Sequence, residues 1–163
     1  MFGSTDVLLD FAEVAIALAG FSAIVVVLKR GAEGKWDAVD ADRFHGMVIH
    51  STCAVLFCFL PSIVNVLVQD VVTTLHICCA ILGVQIVLHC IGVMFSLTTN
   101  LAGKISLAFG FLFAAVQFAA FTDWGTHREL EFYVLGVIWH IIQAGVLFVM
   151  LVWVKSEDMD RAA

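Results

Sequence analysis

Charge and proline are both scarce in this 163-residue chain: 13% of its residues are Asp, Glu, Lys or Arg, and Pro61 is its one proline. Water-soluble domains carry about 25% charged and about 45–50% apolar residues. Here 62% of the residues are hydrophobic, so a soluble globule is excluded and lipid is the expected surrounding. Positive charge is scarcer still, with 8 Lys and Arg against 14 Asp and Glu and a net charge of −6, which excludes a basic nucleic-acid binder. No Gly/Ser linker, low-complexity tract or internal repeat divides the sequence, so residues 1–163 read as a single transmembrane domain. The segment ahead of the first apolar run, Met1 to Asp6, has no Lys or Arg, and no cleavage pattern follows it. That run is therefore expected to stay as a helix rather than act as a secretory signal.

What the chain has in plenty is long apolar runs. Five stand out, at 7–28, 44–68, 71–97, 105–122 and 130–154. About 20 residues at about 1.5 Å each cross a hydrocarbon layer of about 30 Å, so each run is expected to span the membrane. Only Gln69 and Asp70 separate the second and third runs, and one helix through both would be far too long, so a tight hairpin is predicted there. With five spans, Lys29, Arg30, Lys35, Arg43, Lys104, Lys155 and Arg161 share one side and Arg128 lies on the other. By the positive-inside rule the N-terminus is outside and the C-terminus cytoplasmic. Trp124 and Tyr133 then fall near the outer interface, Trp36 and Trp153 near the inner one. The segment Lys29 to Asp42 reads as a solvated cytoplasmic connector.

Five cysteines (Cys53, Cys58, Cys78, Cys79 and Cys90) lie inside the predicted spans. An odd, membrane-embedded set is no disulfide framework and fits small apolar side chains.

Polar residues are costly against lipid, so their positions predict the inward face of each helix. Asp10, Glu13, Ala17 and Gly20 share one face of the first span. His50, Ala54, Cys58, Pro61, Asn65 and Gln69 form a stripe along the second, where Pro61 is expected to free a carbonyl one turn earlier. The third carries Thr74, Cys78, Gln85, His89, Gly92 and Ser96, with His76 on its opposite side. Ser106, Gly110, Ala114 and Gln117 mark the fourth; Tyr133, Gly136, His140 and Gln143 mark the fifth. Five matching stripes predict a bundle with a polar interior, or an oligomer whose polar faces meet.

Counting residues from each span end puts Asp10, Glu13, Asn65, Gln69, Gln117 and His140 in the outer half, and His50 and His89 in the inner half. Intramembrane acids mark ion pathways. The leading expectation is thus a cation or proton channel or transporter whose site is formed by Glu13, Asp10, His140, Asn65, Gln117 and Gln143. No cofactor is required by it. A first alternative is a b-type haem electron carrier, with His50 facing His89 and His76 facing His140 as axial pairs. A second is a non-catalytic subunit of a larger membrane complex. No Gly-x-Ser-x-Gly elbow, Walker loop or zinc-protease helix points to an enzyme, no compact metal-ligand motif is present, and no intramembrane lysine could form a Schiff base.

Ala12-Glu13, Ala19-Gly20-Phe21, Trp36, Asp40 and Asp42-Arg43, all in the first third of the chain, resemble a group of small uncharacterised bacterial multi-pass membrane proteins. The resemblance implies a bacterial inner-membrane location and carries no activity. The length and span number are also those of the tryptophan-rich sensory and translocator proteins, but one proline and four dispersed tryptophans depart from that pattern. The sequence therefore predicts an all-α, five-helix bundle in the inner membrane, in contact with lipid and forming a homo-oligomer or part of a larger complex.

Overall fold

A computed structural model describes residues 2–33, 38–96, 101–122 and 128–162. They form five helices: α1 (Phe2–Glu33), α2 (Ala38–Val68), α3 (Val71–Ser96), α4 (Leu101–Ala119) and α5 (Glu129–Ala162). The protein is all-helical, and α1, α2, α3 and α5 are each long and apolar enough to cross a membrane. The fourth expected span is shorter than its run suggested. Its apolar helix covers Lys104–Ala119, about 24 Å at about 1.5 Å per residue. It ends in a tightened turn, where the amides of Ala120, Phe121 and Thr122 reach the carbonyls of Gln117, Phe118 and Ala119.

The connector expected at Lys29–Asp42 is helical on both flanks, because α1 runs to Glu33 and α2 starts at Ala38. Good helix formers at its edges and the Arg43–Asp40 ion pair (3.2 Å) let both helices continue beyond their apolar parts. Lys35, Trp36 and Trp124 lie outside the described residues.

The predicted hairpin is present and tightly capped. Gln69 takes a left-handed conformation (φ 57°) and returns its amide to the Asn65 carbonyl, closing α2. Asp70 then caps α3, its carboxylate accepting from the Thr73 amide at 2.8 Å. Hydrogen bonding from the Thr73 side chain, and then from its amide, holds the Asp70 carboxyl below the usual carboxylate range.

Helix α5 packs against all four other helices, while α2 links α1, α3 and α5. Polar stripes point into the bundle on α2, α3, α4 and α5: His50, Thr74, Gln117, Tyr133 and His140 are all buried. Helix α1 departs from that rule. Leu8, Ala12, Ala15 and Ser22 form its buried face, and Asp10, Glu13, Ala17 and Gly20 are exposed. Small side chains let α1 lie close to its neighbours, and this packing, not polarity, sets its rotation. All five cysteines are free thiols; Cys53 is half-buried and the other four are buried.

Two apolar layers result. The larger contains Phe57, Cys58, Cys78, Cys79, Leu82, Ile86, Tyr133 and Val137; the smaller contains Met47, Ala144 and Leu151. Along α2, His50 falls between Met47 and Phe57. Along α5, His140 falls between Val137 and Ala144. A thin polar layer thus separates the two cores.

Candidate functional site

Three histidines meet in that layer. His140 lies near the middle of the apolar stretch Glu129–Val152 of α5 and is fully buried. His50 of α2 is 3% exposed, and its Nδ1 is 3.0 Å from His140 Nδ1. His89 of α3 packs edge-to-face on His50, with ring centroids 4.6 Å apart. On its other side His140 Nε2 is 3.0 Å from the Gln85 carbonyl oxygen. The Gln85 amide in turn reaches Cys53 Sγ at 3.9 Å.

Donor counting fixes the neutral state of this chain. A carboxamide oxygen only accepts, so His140 Nε2 carries a hydrogen and donates to Gln85. A neutral His140 then has a lone pair on Nδ1, and His50 Nδ1–H must donate to it. All bonds run one way, from His50 through His140 to Gln85. Two imidazolium rings could not make the Nδ1–Nδ1 contact, because both nitrogens would be donors. One added proton keeps it intact: entering at His50 Nε2, it is matched by transfer of the Nδ1 hydrogen to His140, and the charge moves along the pair. The arrangement can accept one proton and share its charge between the two rings without moving the backbone.

The surroundings differ on the two sides. Towards the α2–α3 turn, the Phe57 ring stacks on His140 (centroids 5.7 Å apart, 16° between planes), and Tyr133 Oη donates to the Phe57 carbonyl. Pro61, one turn later, has no amide hydrogen to occupy that carbonyl. Towards the other end, Ser106 of α4 donates to Gln143 of α5 at 3.1 Å, one turn from His140.

Of the residues expected to form the ion site, the structure brings His140 together with His50, Gln85 and His89, and places the rest elsewhere. Asp10 and Glu13 lie on the exposed face of α1. Asn65 accepts from Thr74 Oγ1 at 3.4 Å beside the hairpin. Gln117 is buried and donates its amide to the Phe132 carbonyl, while its own oxygen has no partner. Gln143 pairs with Ser106. His76 is not opposite His140. Its Nε2 lies 3.0 Å from the Ala120 carbonyl and 3.8 Å from the carboxylate of buried Glu129.

Bis-imidazole haem needs two rings on opposite faces of a macrocycle. His50 and His89 touch directly, edge to face, and leave no slot for one; His76 and His140 do not pair. Among the described residues, no group of three or more His, Cys, Asp or Glu side chains is arranged to hold a metal ion.

The His50–His140 contact is not legible from depth along the spans, because the apolar run ends, which α2 and α5 overshoot, place the two residues in opposite halves of the membrane. The signal present was the stripe itself, since His50, Gln85, His89 and His140 each lie on the polar face of their helix. Nothing in the sequence marked Glu129, whose position at the start of a helix is ordinary for an acid.

Comparison with family models, with curated proteins and with solved structures finds no match.

Proposed function

We propose that this chain is a multi-pass protein of a bacterial inner membrane that conducts or transports protons, with His50 and His140 as its relay and His89 and Gln85 at the ends of that relay. The carrying observation is the 3.0 Å contact between two buried imidazoles near the middle of the spans. Ionisable side chains at that depth are costly unless they pair with one another, and paired ones are characteristic of proton pathways. With α4 crossing as the fifth span, the N-terminus lies outside and the C-terminus in the cytoplasm, as the distribution of basic residues favours.

Purified protein in liposomes, with a pH-sensitive dye inside and a potassium-diffusion potential as driving force, tests the proposal. The unaltered protein should acidify or alkalinise the lumen faster than empty liposomes do, and His140→Phe should abolish the difference. Equal rates for protein and empty liposomes, or full flux in His140→Phe, would remove it.

A second proposal concerns α1. Asp10 and Glu13 lie within the apolar stretch Asp6–Val27, on a face that the bundle leaves open. Carboxyl groups in that position favour a contact between copies, in which two acids one turn apart share protons across the interface. Mass measurement in detergent or nanodiscs is the check: Glu13→Leu should shift an oligomer towards monomer, and a monomeric unaltered protein would refute the contact.

A further inference from the structure

Between α3, α4 and α5 a small open recess, with a volume of about 10 Å³ or room for about one water molecule, is lined by His89, Cys90, Val93, Ser106, Leu107 and Trp139. Three of these residues present hydrogen-bonding groups. Trp139 is 3% exposed, and its indole N–H has no acceptor. Ser106 is half-buried and engaged with Gln143. His89 is half-buried and touches His50 on its other side. Gly110 shapes the wall: a side chain there would collide with Cys90 Sγ and meet the Trp139 ring at 3.3 Å.

The position of the recess suits water. Ser106 is two residues from exposed Lys104, where the apolar part of α4 begins. His89 is six residues from Phe95, the end of the apolar part of α3, which is about 9 Å along the helix. His89 and Ser106 offer a water molecule there polar partners that acyl chains do not supply. On the opposite side of the histidines the packing is close. Phe57 covers His140, Tyr133 fastens the Phe57 backbone, and Leu82 and Val137 are fully buried.

Resting on the proton relay proposed above, we infer that this recess is its aqueous port. Water, and with it protons, reaches His89 and then His50 from the end of the bundle where α3 finishes and α4 begins, and the Phe57–Tyr133 contact closes the relay towards the α2–α3 turn. Access to the site is therefore one-sided in this conformation.

Cysteine accessibility tests the port independently of flux. Ser106→Cys, Leu107→Cys and a control cysteine, each in the full chain with Cys90→Ala so that no native thiol lines the recess, are treated in sealed liposomes with a membrane-impermeant cationic methanethiosulfonate. Leu112→Cys, exposed on α4 away from the recess, serves as the lipid-facing control. Either recess cysteine should react at least about tenfold faster than the control, because only the hydrated thiolate attacks the reagent. The reaction should occur from one face of the membrane only, and the attached group should suppress proton flux. If both recess cysteines react no faster than the control, the port is overturned even where flux is robust. Fast one-sided reaction in a protein without flux upholds the water-filled recess and removes the relay reading instead.

Discussion

The Tyr133 hydroxyl donates to the carbonyl of Phe57, the backbone acceptor that Pro61 leaves without its helical donor. One side chain on α5 thereby repairs a defect written into α2, and does so beside the ring that covers His140. Proline inside a spanning helix is tolerated where a neighbouring group satisfies the freed carbonyl.

Tyr133→Phe should therefore destabilise the protein by about 1–3 kcal/mol, the cost of leaving a buried acceptor unpaired. Pro61→Ala restores the amide hydrogen. In the Pro61→Ala background the Tyr133→Phe penalty should shrink, a non-additivity that a double-mutant cycle from denaturation in mixed micelles would measure. Equal penalties in both backgrounds would mean that the hydroxyl matters for another reason.

The histidine pair should behave as a unit. His50→Leu leaves His140 Nδ1 without its donor, and His140→Leu leaves the Gln85 carbonyl without one, so each single change should cost about 1–3 kcal/mol. Replacing both histidines should cost less than the sum, because apolar groups of similar size at both positions remove the need for partners. The same denaturation series reads this out, and strict additivity would argue against a direct bond.

The cap of α3 carries a pH dependence. Hydrogen bonds from the Thr73 side chain and amide hold the folded-state Asp70 carboxyl below its unfolded value of about 3.9. The contribution is complete above that unfolded value and disappears as pH falls through the lower folded value. Thermal melts between neutral pH and pH 3 should show a small acid-side loss that Asp70→Asn lacks, since the amide still caps the helix but does not titrate. An identical loss in the variant would assign the acid sensitivity to other carboxylates.

Gln69 holds a left-handed backbone that costs residues with a side chain about 1–2 kcal/mol. Gln69→Gly should be neutral or slightly stabilising, and Gln69→Val clearly destabilising, as read by melting temperature. A matching loss in both would indicate that the Gln69 side chain, rather than the turn, is what matters.

Packing is close on several sides of Gly136. A Cβ there would lie 2.5 Å from Leu82 Cδ2 and 2.7 Å from Gln117 Nε2. Gly136→Ala should cost about 1–3 kcal/mol through overpacking. It should also disturb the bond from Gln117 to the Phe132 carbonyl, visible as faster amide exchange around the start of α5.

By itself, the sequence determined the solvent, the helical class, the Gln69–Asp70 hairpin and the inward faces of α2 to α5. Each of these follows from local quantities: the length of an apolar run, a break too short to be a loop, and the periodicity that places His50, Gln85, His89 and His140 on polar stripes. Only the tertiary structure decided which stripes meet. His140 pairs with His50 rather than with Glu13 because α5 lies at the centre of the bundle and α1 turns its small residues, Ala12 and Ala15, inward. Rotation and axial offset of neighbouring helices depend on how closely their side chains interlock, a property shared between segments distant in the chain. No single run of residues encodes it.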